Sequence, residues 1–302
     1  MKVFCTGASG YIGGSVAAHL AAAGHQVAGL VRSPEKADAV RSFGIEPVMG
    51  TLDDGEILSR AAQAADVVVN AASADHRGAV VALLDALAGS GKPFIHTSGS
   101  SVIGTRSTGQ RSDAVFDEDT PFAPSPARVA RAALNELILS YRDKSCRPVI
   151  VCPSLIYGIG LGAGRDSVQV PLLIRLAKKR GNAAHAGPGE NIWSNVHIDD
   201  LVTLYVLAIE KAPAGAFFFA ENGENSMREV CEAINRMLGF AGPPIAMSMQ
   251  EAAAEWGEGT TEDTMASNSR VRAKRARREL GWQPKARSLM EEIERGCYRE
   301  QA

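Results

Sequence analysis

The chain opens with the apolar run KVFCT and then reads Thr6-Gly7-Ala8-Ser9-Gly10-Tyr11-Ile12-Gly13. The three glycines have the spacing GxxGxxG, and an alanine-rich, helix-forming stretch follows them up to Gly24. Glycines at a strand-to-helix junction permit a tight turn, let backbone N–H groups approach a pyrophosphate, and allow the helix to pack closely on the strand. The positive end of the helix dipole also attracts anions. Residues 6–13 therefore predict a dinucleotide-binding loop.

Strand-like and helix-like segments alternate from this loop to about residue 160. The strand-like segments are apolar runs that include QVAGLVR (26–32), DVVVNAAS (66–73), KPFIHTSG (92–99) and RPVIVCPS (147–154). Successive strands joined by helices form parallel sheets with right-handed crossovers, and continuous apolar strands indicate that both faces are covered. The prediction is an α/β fold, a doubly wound parallel sheet of the Rossmann type with a smaller C-terminal substrate lobe.

After residue 160 the alternation loosens into glycine-rich and charged segments. We assign residues 1–160 to the dinucleotide-binding domain, with 196–222 returning to it, and residues 161–195 and 223–302 to a substrate-binding lobe. Ligands bind at the carboxyl ends of the strands in open α/β sheets, so the lobe is expected to close over those ends. The segment GLGAGRDSVQVP (160–171) is expected to act as a lid.

Composition restricts the class of partner. The chain has 302 residues and a formal net charge of −2 at pH 7, so no basic surplus favours nucleic acid. Its five cysteines are scattered without a CxxC pair, which is typical of reduced thiols and not of a disulfide framework or a zinc site. A strand at Lys2 leaves no room for a signal peptide, and no apolar run approaches the ~18 residues of a membrane span. These features predict a cytoplasmic protein with no nucleic-acid, membrane or metal partner.

The end of the second strand carries information on the cofactor. It reads Leu30-Val31-Arg32-Ser33, with Lys36 one helical turn further on. An acidic residue there would bond to the adenosine ribose hydroxyls and favour NAD, whereas cations suit the additional 2′-phosphate of NADP(H). The prediction is therefore NADP(H), with Arg32 as a merely solvated strand end as the alternative.

Several motifs occur in the order found in one known superfamily. They are TGASGYIG (6–13), FIHTSGSSVIG (94–104), DEDTPFAPSP (117–126), CPSLIYG (152–158), NVHIDDLV (195–202) and ARRELGWQP (276–284). Together they span nearly the whole chain. On these motifs the chain resembles the extended or atypical short-chain dehydrogenase/reductase superfamily, in its NAD-dependent epimerase/dehydratase-like branch.

The resemblance implies a set of cofactor contacts. Gly7, Ser9, Gly10, Tyr11 and Ile12 would cradle the diphosphate; Leu52 and Asp53 would lie by the adenine; Ala71 and Ala72 would pass under the ribose; Thr97, Ser98 and Pro153 would line the nicotinamide half. With Arg32 and Ser33 at the adenosine phosphate, these residues form the expected cofactor site. The resemblance also implies a homodimer through paired helices such as 126–143.

The resemblance breaks at the catalytic residues. Family members carry Tyr-x-x-x-Lys on the long helix, where the tyrosine exchanges a proton and the lysine lowers its pKa. Aligning Glu136 with the family's helix glutamate places Arg128 at the tyrosine position and Ala132 at the lysine position. None of the five tyrosines is followed by lysine four residues later, and Gly99 stands at the family's Ser/Thr position. The family's ordinary mechanism therefore does not carry over.

Three hydroxyl groups remain as catalytic candidates. Ser100 and Ser101 lie beyond the end of a strand, where a substrate carbonyl is expected, although loop serines often bond to local backbone. Tyr157 follows another strand and is the best-placed phenol to replace the lost acid, although packing with a hydrogen-bonded tip is the commoner role of such a tyrosine.

Other polar residues have a structural interpretation beside the functional one. Asp75 and His76 could reach the nicotinamide, but an N-cap by Asp75 is the simpler expectation. His96 should be a satisfied core histidine. Arg128 could hold an anionic substrate group or be solvated. The basic stretch 270–278 is expected to form a solvated helix and not a nucleic-acid site.

Two functions are compatible with these observations. The first is an NADP(H)-dependent oxidoreductase that reduces a small carbonyl substrate, with the proton from water, Tyr157 or a loop serine. The second is a non-catalytic NADP(H)-binding redox sensor or regulatory protein. The missing Tyr and Lys favour the sensor, whereas the glycine-rich substrate lobe with its lid favours the enzyme, which is our prediction.

Overall fold

A seven-stranded parallel sheet lies at the centre of the computed structural model, which describes residues 1–300. Its strands are β1 Lys2–Thr6, β2 Gln26–Val31, β3 Ile45–Met49, β4 Val67–Asn70, β5 Pro93–Thr97, β6 Arg147–Pro153 and β7 Ala216–Ala220. Their order is β3-β2-β1-β4-β5-β6-β7, and every neighbouring pair is parallel. The order reverses between β1 and β4, which is the topological switch point of a doubly wound fold. The predicted fold class is confirmed.

Helices cover both faces of this sheet, with α1 against α7 on one face and α3, α4 and α5 in the other layer. The first seven are α1 Tyr11–Ala22, α2 Pro34–Arg41, α3 Gly55–Ala64, α4 Arg77–Leu87, α5 Val129–Ser140, α6 Gln169–Arg180 and α7 Ile198–Lys211. All four residues of β4 are buried, because both of its faces are covered. A 3₁₀ turn, Pro126–Arg128, precedes α5, so this helix begins one residue after Arg128.

The C-terminal lobe is built from shorter elements. Its helices are α8 Met227–Leu238, α9 Met249–Trp256, α10 Glu258–Thr260, α11 Lys274–Leu280, α12 Leu289–Arg295 and α13 Cys297–Glu300. Its short strands are Leu155–Tyr157, Ala184–Ala186, Ile192–His197, Glu224–Ser226 and Ile245–Met247. Ser226, Ser248 and Ser288 each begin a helix with a reciprocal capping box, an arrangement that satisfies two backbone N–H groups per helix.

Two main hydrophobic cores follow the division between sheet domain and lobe, with two differences from the boundaries drawn on the sequence. Leu155 and Tyr157 pack in the lobe core, although we assigned them to the sheet domain. Val271 and Trp282 pack in the sheet core, although we assigned them to the lobe. The C-terminal segment therefore crosses back onto the sheet domain and ties the two parts together.

The basic stretch 270–278 combines buried and exposed cations, and acidic residues of the chain pair with most of them. Arg270 and Arg272 bind Glu224, and Arg277 Nη1 donates to Glu221 Oε1 at 2.8 Å. Arg275 pairs with Asp119. The helix begins only at Lys274 and exposes Lys274, Arg277 and Arg278 as expected, whereas Arg270 precedes it and is buried.

Residues 1–300 contain no helix that is both long and apolar enough to cross a bilayer.

Candidate active site

A cleft of about 460 Å³ opens at the carboxyl ends of β1, β2 and β4. Its lining comes from the glycine-rich loop, the end of β2 and the loops after β3 and β4: Gly7, Ser9, Gly10, Leu30, Val31, Arg32, Lys36, Thr51, Leu52, Asp53, Ala71, Ala72 and His76. Open α/β sheets bind ligands at this switch point. A larger groove of about 780 Å³ lies at the amino ends of β1, β2 and β3, away from the glycine-rich loop. The smaller cleft is the candidate site, because it brings eight predicted cofactor residues together.

The glycine-rich loop allows very close approach of backbone to backbone. Gly7 has a φ of +74°, and a Cβ there would lie 2.7 Å from the Ala71 carbonyl oxygen. A Cβ at Gly13 would lie 2.6 Å from the Gly7 carbonyl oxygen. No side chain caps α1, which begins after Gly10, so its first N–H groups carry an uncompensated partial positive charge. This cradle fits the pyrophosphate of a dinucleotide.

The end of β2 presents cations to the cleft. Arg32 is exposed, and no residue of the described chain pairs with its guanidinium. Ser33 instead caps α2, because its Oγ accepts a hydrogen bond from the Lys36 backbone N–H at 3.4 Å. Asp53 lies on the opposite side of the cleft, where its carboxylate is 3.2 Å from His76 Nε2. The cations Arg32 and Lys36 are therefore placed to meet a negative group at the adenosine end.

Six predicted cofactor residues do not line this cleft, and their side chains have internal roles. These residues are Tyr11, Ile12, Ser33, Thr97, Ser98 and Pro153. The Tyr11 hydroxyl donates to the Gly158 carbonyl at 2.9 Å. The Thr97 hydroxyl bonds to the Tyr205 hydroxyl at 2.6 Å, and Ser98 Oγ accepts from Asn135 Nδ2 at 3.1 Å. Any contact of Tyr11, Thr97 or Ser98 with a ligand would therefore come from the backbone.

A buried polar chain supports the floor of the site across three strands. Thr6 Oγ1 donates to Asn70 Oδ1 at 2.6 Å, and Asn70 Nδ2 donates to His96 Nδ1 at 3.0 Å. Since Nδ1 accepts, the neutral ring carries its proton on Nε2. Burial lowers the pKa of His96 to about 4, so the ring is neutral at physiological pH. His96 is a core histidine, as expected, but it is not fully satisfied, because its buried Nε2 has no hydrogen-bond partner among residues 1–300. Its Nδ1 bond to Asn70 links β4 to β5.

Two of the three predicted catalytic hydroxyls are buried and have internal hydrogen-bond partners. Ser100 is 1% exposed, and its Oγ lies 2.8 Å from Ser269 Oγ in the joint between sheet domain and lobe. Tyr157 is fully buried in the lobe core, where its hydroxyl donates to the Arg287 carbonyl at 2.7 Å. Burial raises the pKa of Tyr157 far above its ordinary value. Neither hydroxyl can therefore reach a ligand in the cleft.

No other tyrosine takes the place of the missing catalytic phenol. The hydroxyls of Tyr11, Tyr205 and Tyr298 bond to Gly158, Thr97 and Ser167, and that of Tyr141 donates to Asp85 Oδ1 at 2.7 Å. Together with Tyr157, all five tyrosine hydroxyls of the chain have internal partners. The site therefore has no phenol available for proton transfer.

An arginine that the sequence reasoning missed lies beside the third hydroxyl. Arg131 Nη1 donates to Ser101 Oγ at 3.0 Å, and Nε donates to Asp75 Oδ1 at 2.7 Å. The Asp75 hydrogen bond raises the pKa of Arg131, and the same bond lowers the pKa of Asp75, so both remain charged. The sequence feature that could have pointed to Arg131 is the glycine at position 99. A Cβ at Gly99 would lie 3.3 Å from Arg131 Nη1.

The remaining expectations around the site are corrected by the same contacts. Asp75 is not an N-cap, because it pairs with Arg131; His76 caps α4 instead, accepting from the Ala79 N–H at 3.1 Å. His76 also lines the cleft, where its Nε2 lies 3.2 Å from Asp53 Oδ1. Arg128 is neither solvated nor firmly paired: its side chain is 22% exposed, and its Nη2 lies 3.7 Å from Asp263.

Comparison with known proteins identifies the family to which the chain belongs. The model of the NAD dependent epimerase/dehydratase family matches residues 3–218. An uncharacterised protein of Saccharomyces cerevisiae is 33% identical over 311 residues, covering 97% of this chain and 98% of the relative. An oxidase of an Acremonium species is 32% identical, with coverages of 97% and 95%. A 4-hydroxy-2-methyl-3-oxo-4-farnesyl-3,4-dihydroquinoline-1-oxide ketoreductase of Stigmatella aurantiaca is 29% identical, with coverages of 74% and 69%.

Solved structures share the fold at lower identity. The UDP-glucose 4-epimerase of Thermotoga maritima, determined with UDP-glucose, superposes with a TM-score of 0.79 at 18% identity, covering 100% of this chain and 99% of that one. The dTDP-glucose 4,6-dehydratase of Bacillus anthracis, determined with NAD, also gives a TM-score of 0.79, at 20% identity and with coverages of 97% and 95%.

Proposed function

The chain belongs to the NAD-dependent epimerase/dehydratase family, and on that premise we propose that it is an NADP(H)-dependent oxidoreductase that reduces a small carbonyl compound. Its relatives include proteins named as an oxidase and a ketoreductase, and the family and these names indicate an enzyme of the oxidoreductase or epimerase type.

The cleft at the end of β2 is the observation that carries the choice of cofactor. Arg32 and Lys36 face it without an acidic partner, and Asp53 lies across it beside His76. A ribose 2′-phosphate is a dianion that an unpaired guanidinium can bind through charge-assisted hydrogen bonds. The uncapped start of α1 and Gly7 would hold the pyrophosphate, and Ala71 and Ala72 would lie along the chain of the cofactor.

The reduced nicotinamide would supply a hydride when bound. What the chain itself must provide is orientation, exclusion of water and a proton. Gly162 and Gly164 pack against the start of α1, where a Cβ on either would lie within 2.5 Å of Gly14 or Gly10 backbone. The lid role of the segment 160–171 stays a prediction, because none of its residues lines the cleft.

Ser101 is the remaining hydroxyl for delivery of the proton. Its Oγ accepts from Arg131, and no acceptor among residues 1–300 takes its own proton. The hydroxyl can therefore donate to a substrate oxygen and be reprotonated by water. A serine relay of this kind has no group that titrates near neutral pH, so turnover should be slow and limited to reactive carbonyls.

A sensor that binds NADP(H) without chemistry is the second candidate. The observation that favours it is that all five tyrosine hydroxyls already have internal partners. Such a protein would bind the cofactor tightly and recruit a partner only when loaded.

The two functions are separated by measuring NADPH oxidation at 340 nm with a panel of aldehydes, ketones and 1,2-diketones, and by identifying the alcohol formed. The enzyme proposal predicts turnover of at least one reactive carbonyl, with one alcohol formed per NADPH consumed. Tight NADPH binding with no turnover across the panel, and capture of a partner that depends on the cofactor, would favour the sensor.

A further inference from the structure

We propose that Arg131, held by Asp75, replaces the family's missing tyrosine by donating a hydrogen bond to the carbonyl oxygen of the substrate. This inference rests on the proposed reductase function and adds the group that stabilises the reacting oxygen. It starts from the position of the guanidinium, which lies above Gly99 at the carboxyl end of β5. β5 is the next strand beyond β4, whose following loop lines the cleft, so the guanidinium lies at the same carboxyl edge of the sheet, one strand away from that loop.

The hydrogen bonds of Arg131 leave donors free. Its Nε and Nη2 donate to the two carboxylate oxygens of Asp75, and Nη1 donates to Ser101 Oγ. A guanidinium has five N–H groups, so one N–H on Nη1 and one on Nη2 remain, and no acceptor among residues 1–300 takes them. The bidentate pair fixes the plane of the group, because both oxygens of one carboxylate hold it. Fixed, unused donors are what a developing oxyanion requires.

Gly99 keeps one of these donors uncovered. A Cβ at Gly99 would lie 3.3 Å from Arg131 Nη1, which is closer than most real Cβ contacts, and a serine hydroxyl there would compete for the same N–H group. The glycine at this position and the arginine on α5 therefore form a matched pair. The absence of the family's serine and the absence of its tyrosine then have a common explanation. The guanidinium occupies the space of the serine side chain, and it donates the hydrogen bond that the tyrosine would donate.

The reaction balances with Arg131 in this role. A hydride from the reduced nicotinamide adds to the carbonyl carbon, the π electron pair moves to oxygen, and the cofactor is oxidised. The free N–H groups of Arg131 stabilise the negative oxygen, and a proton from water, passed through the Ser101 hydroxyl, completes the alcohol. Arg131 itself releases no proton, because a guanidinium stays charged in proteins and Asp75 raises its pKa further.

The test compares Arg131→Ala, Arg131→Lys and Gly99→Ser with the unmodified protein, using NADPH and 1-phenyl-1,2-propanedione as the probe carbonyl. Removing one preorganised oxyanion donor typically lowers kcat by about 10²–10³-fold, and we expect that loss in Arg131→Ala. Arg131→Lys keeps a charge and should lose about tenfold. Arg142→Ala, an exposed arginine beyond the end of α5, is the matched control and should leave kcat unchanged.

Three further readouts distinguish this role from a structural one. The NADPH affinity of Arg131→Ala, measured by cofactor fluorescence, should differ less than threefold from that of the unmodified protein. Guanidinium chloride at millimolar concentration should restore part of the activity of Arg131→Ala. The kcat of the unmodified protein should not change between about pH 6 and pH 9. A kcat in Arg131→Ala within threefold of the unmodified value, or a loss of NADPH affinity as large as the loss of kcat, would overturn the role of Arg131 and leave the proposed function intact. No turnover by the unmodified protein would overturn both.

Discussion

Arg32 is the residue on which the preference for NADPH over NADH should depend. It is exposed at the end of β2 and has no partner within the described chain. Arg32→Ala should weaken NADPH binding by ~1.5–3 kcal/mol, the usual worth of a hydrogen bond to a charged group, and leave NADH binding unchanged. Calorimetric titration with both cofactors measures this. Arg41→Ala is the control, since Arg41 lies in the last turn of α2, where it pairs with Asp38 and does not line the cleft. Equal affinities for the two cofactors in the unmodified protein would contradict the prediction.

Tyr157 should matter for stability and not for turnover. Its buried hydroxyl donates to the Arg287 carbonyl, and Tyr157→Phe leaves that acceptor without its partner. The free energy of unfolding should fall by ~1–2 kcal/mol, while kcat and NADPH affinity stay within twofold. Denaturant unfolding and steady-state kinetics on the same preparations check both parts. A large loss of kcat with unchanged stability would return Tyr157 to the catalytic site.

These two residues mark what a sequence can predict about single side chains. The cations Arg32 and Lys36 could be placed, because the end of a strand beside a glycine-rich loop has a fixed position in a Rossmann sheet. The environment of Tyr157 and Ser100 could not, because their partners Arg287 and Ser269 are 130 and 169 residues away in the chain. Arg131 was missed for the same reason, since its partner Asp75 belongs to a different strand-to-helix loop.

Within the loop between β1 and α1, different glycines should fail in different ways. Gly10 has a φ of −92°, which any residue adopts, and it lines the cleft. Gly10→Val should therefore leave a folded protein whose NADPH affinity falls at least 100-fold, because the branched side chain occupies the pyrophosphate position. Gly7 has a positive φ and no room beside Ala71, so Gly7→Val should lower the unfolding free energy by at least ~2 kcal/mol.

Thermal unfolding and cofactor titration of both variants separate the two effects. Unchanged NADPH affinity in a folded Gly10→Val variant would mean that the dinucleotide does not bind at this loop. An unchanged unfolding temperature in Gly7→Val would mean that the close contact with Ala71 is not required.

The order and type of the elements could be predicted because apolar strand runs and helical stretches alternate cleanly up to β6. The start of α5 was harder. The sequence suggested one long helix from residue 126, but Pro126 leads a 3₁₀ turn that ends at Arg128. The family's tyrosine position therefore lies just outside the α-helix, and its Arg128 side chain lies near Asp263 of the lobe. The start of α5 therefore depends on a nearby helix breaker, Pro126, and on a residue distant in sequence, Asp263.

For the whole molecule, the C-terminal segment should contribute a stability that depends on pH. Hydrogen bonds from Arg270 and then Arg272 lower the pKa of Glu224 from its ordinary 4.5 to about 2. A carboxyl with a lowered folded-state pKa stabilises the fold fully above its unfolded value and loses that effect as the pH falls through the folded value. The stabilisation by Glu224 should therefore be complete above about pH 4.5 and disappear towards pH 2.

Glu224→Gln tests this through thermal unfolding between about pH 7 and pH 2.5. The unmodified protein should unfold at a higher temperature than the variant at neutral pH, and the difference should shrink as the pH falls below about 4.5. Glu210→Gln, an exposed carboxylate of α7, is the control and should show no such difference. A difference between the two proteins that does not change with pH would contradict the assigned ion pairs.

For the whole molecule, the sequence predicted the fold class and the family. It did not predict that residues near the C-terminus pack in the core of the sheet domain. Trp282 lies near the C-terminus but is buried against the sheet domain, where its indole N–H donates to the Asp200 carbonyl at 2.9 Å. Nothing local to Trp282 specifies that partner. The homodimer through helices such as 126–143 stays a prediction that sedimentation would test.

NADPH deuterated at C4 tests whether the cofactor bound to this chain transfers a hydride to a carbonyl without the family's tyrosine and lysine. The unmodified protein is incubated with each of the two C4-labelled forms and a reactive carbonyl, and the alcohol is examined by mass spectrometry. We expect deuterium on the carbinol carbon from one labelled form and none from the other. Tight binding of both labelled forms, with no deuterated alcohol from any carbonyl of the panel, would contradict this expectation.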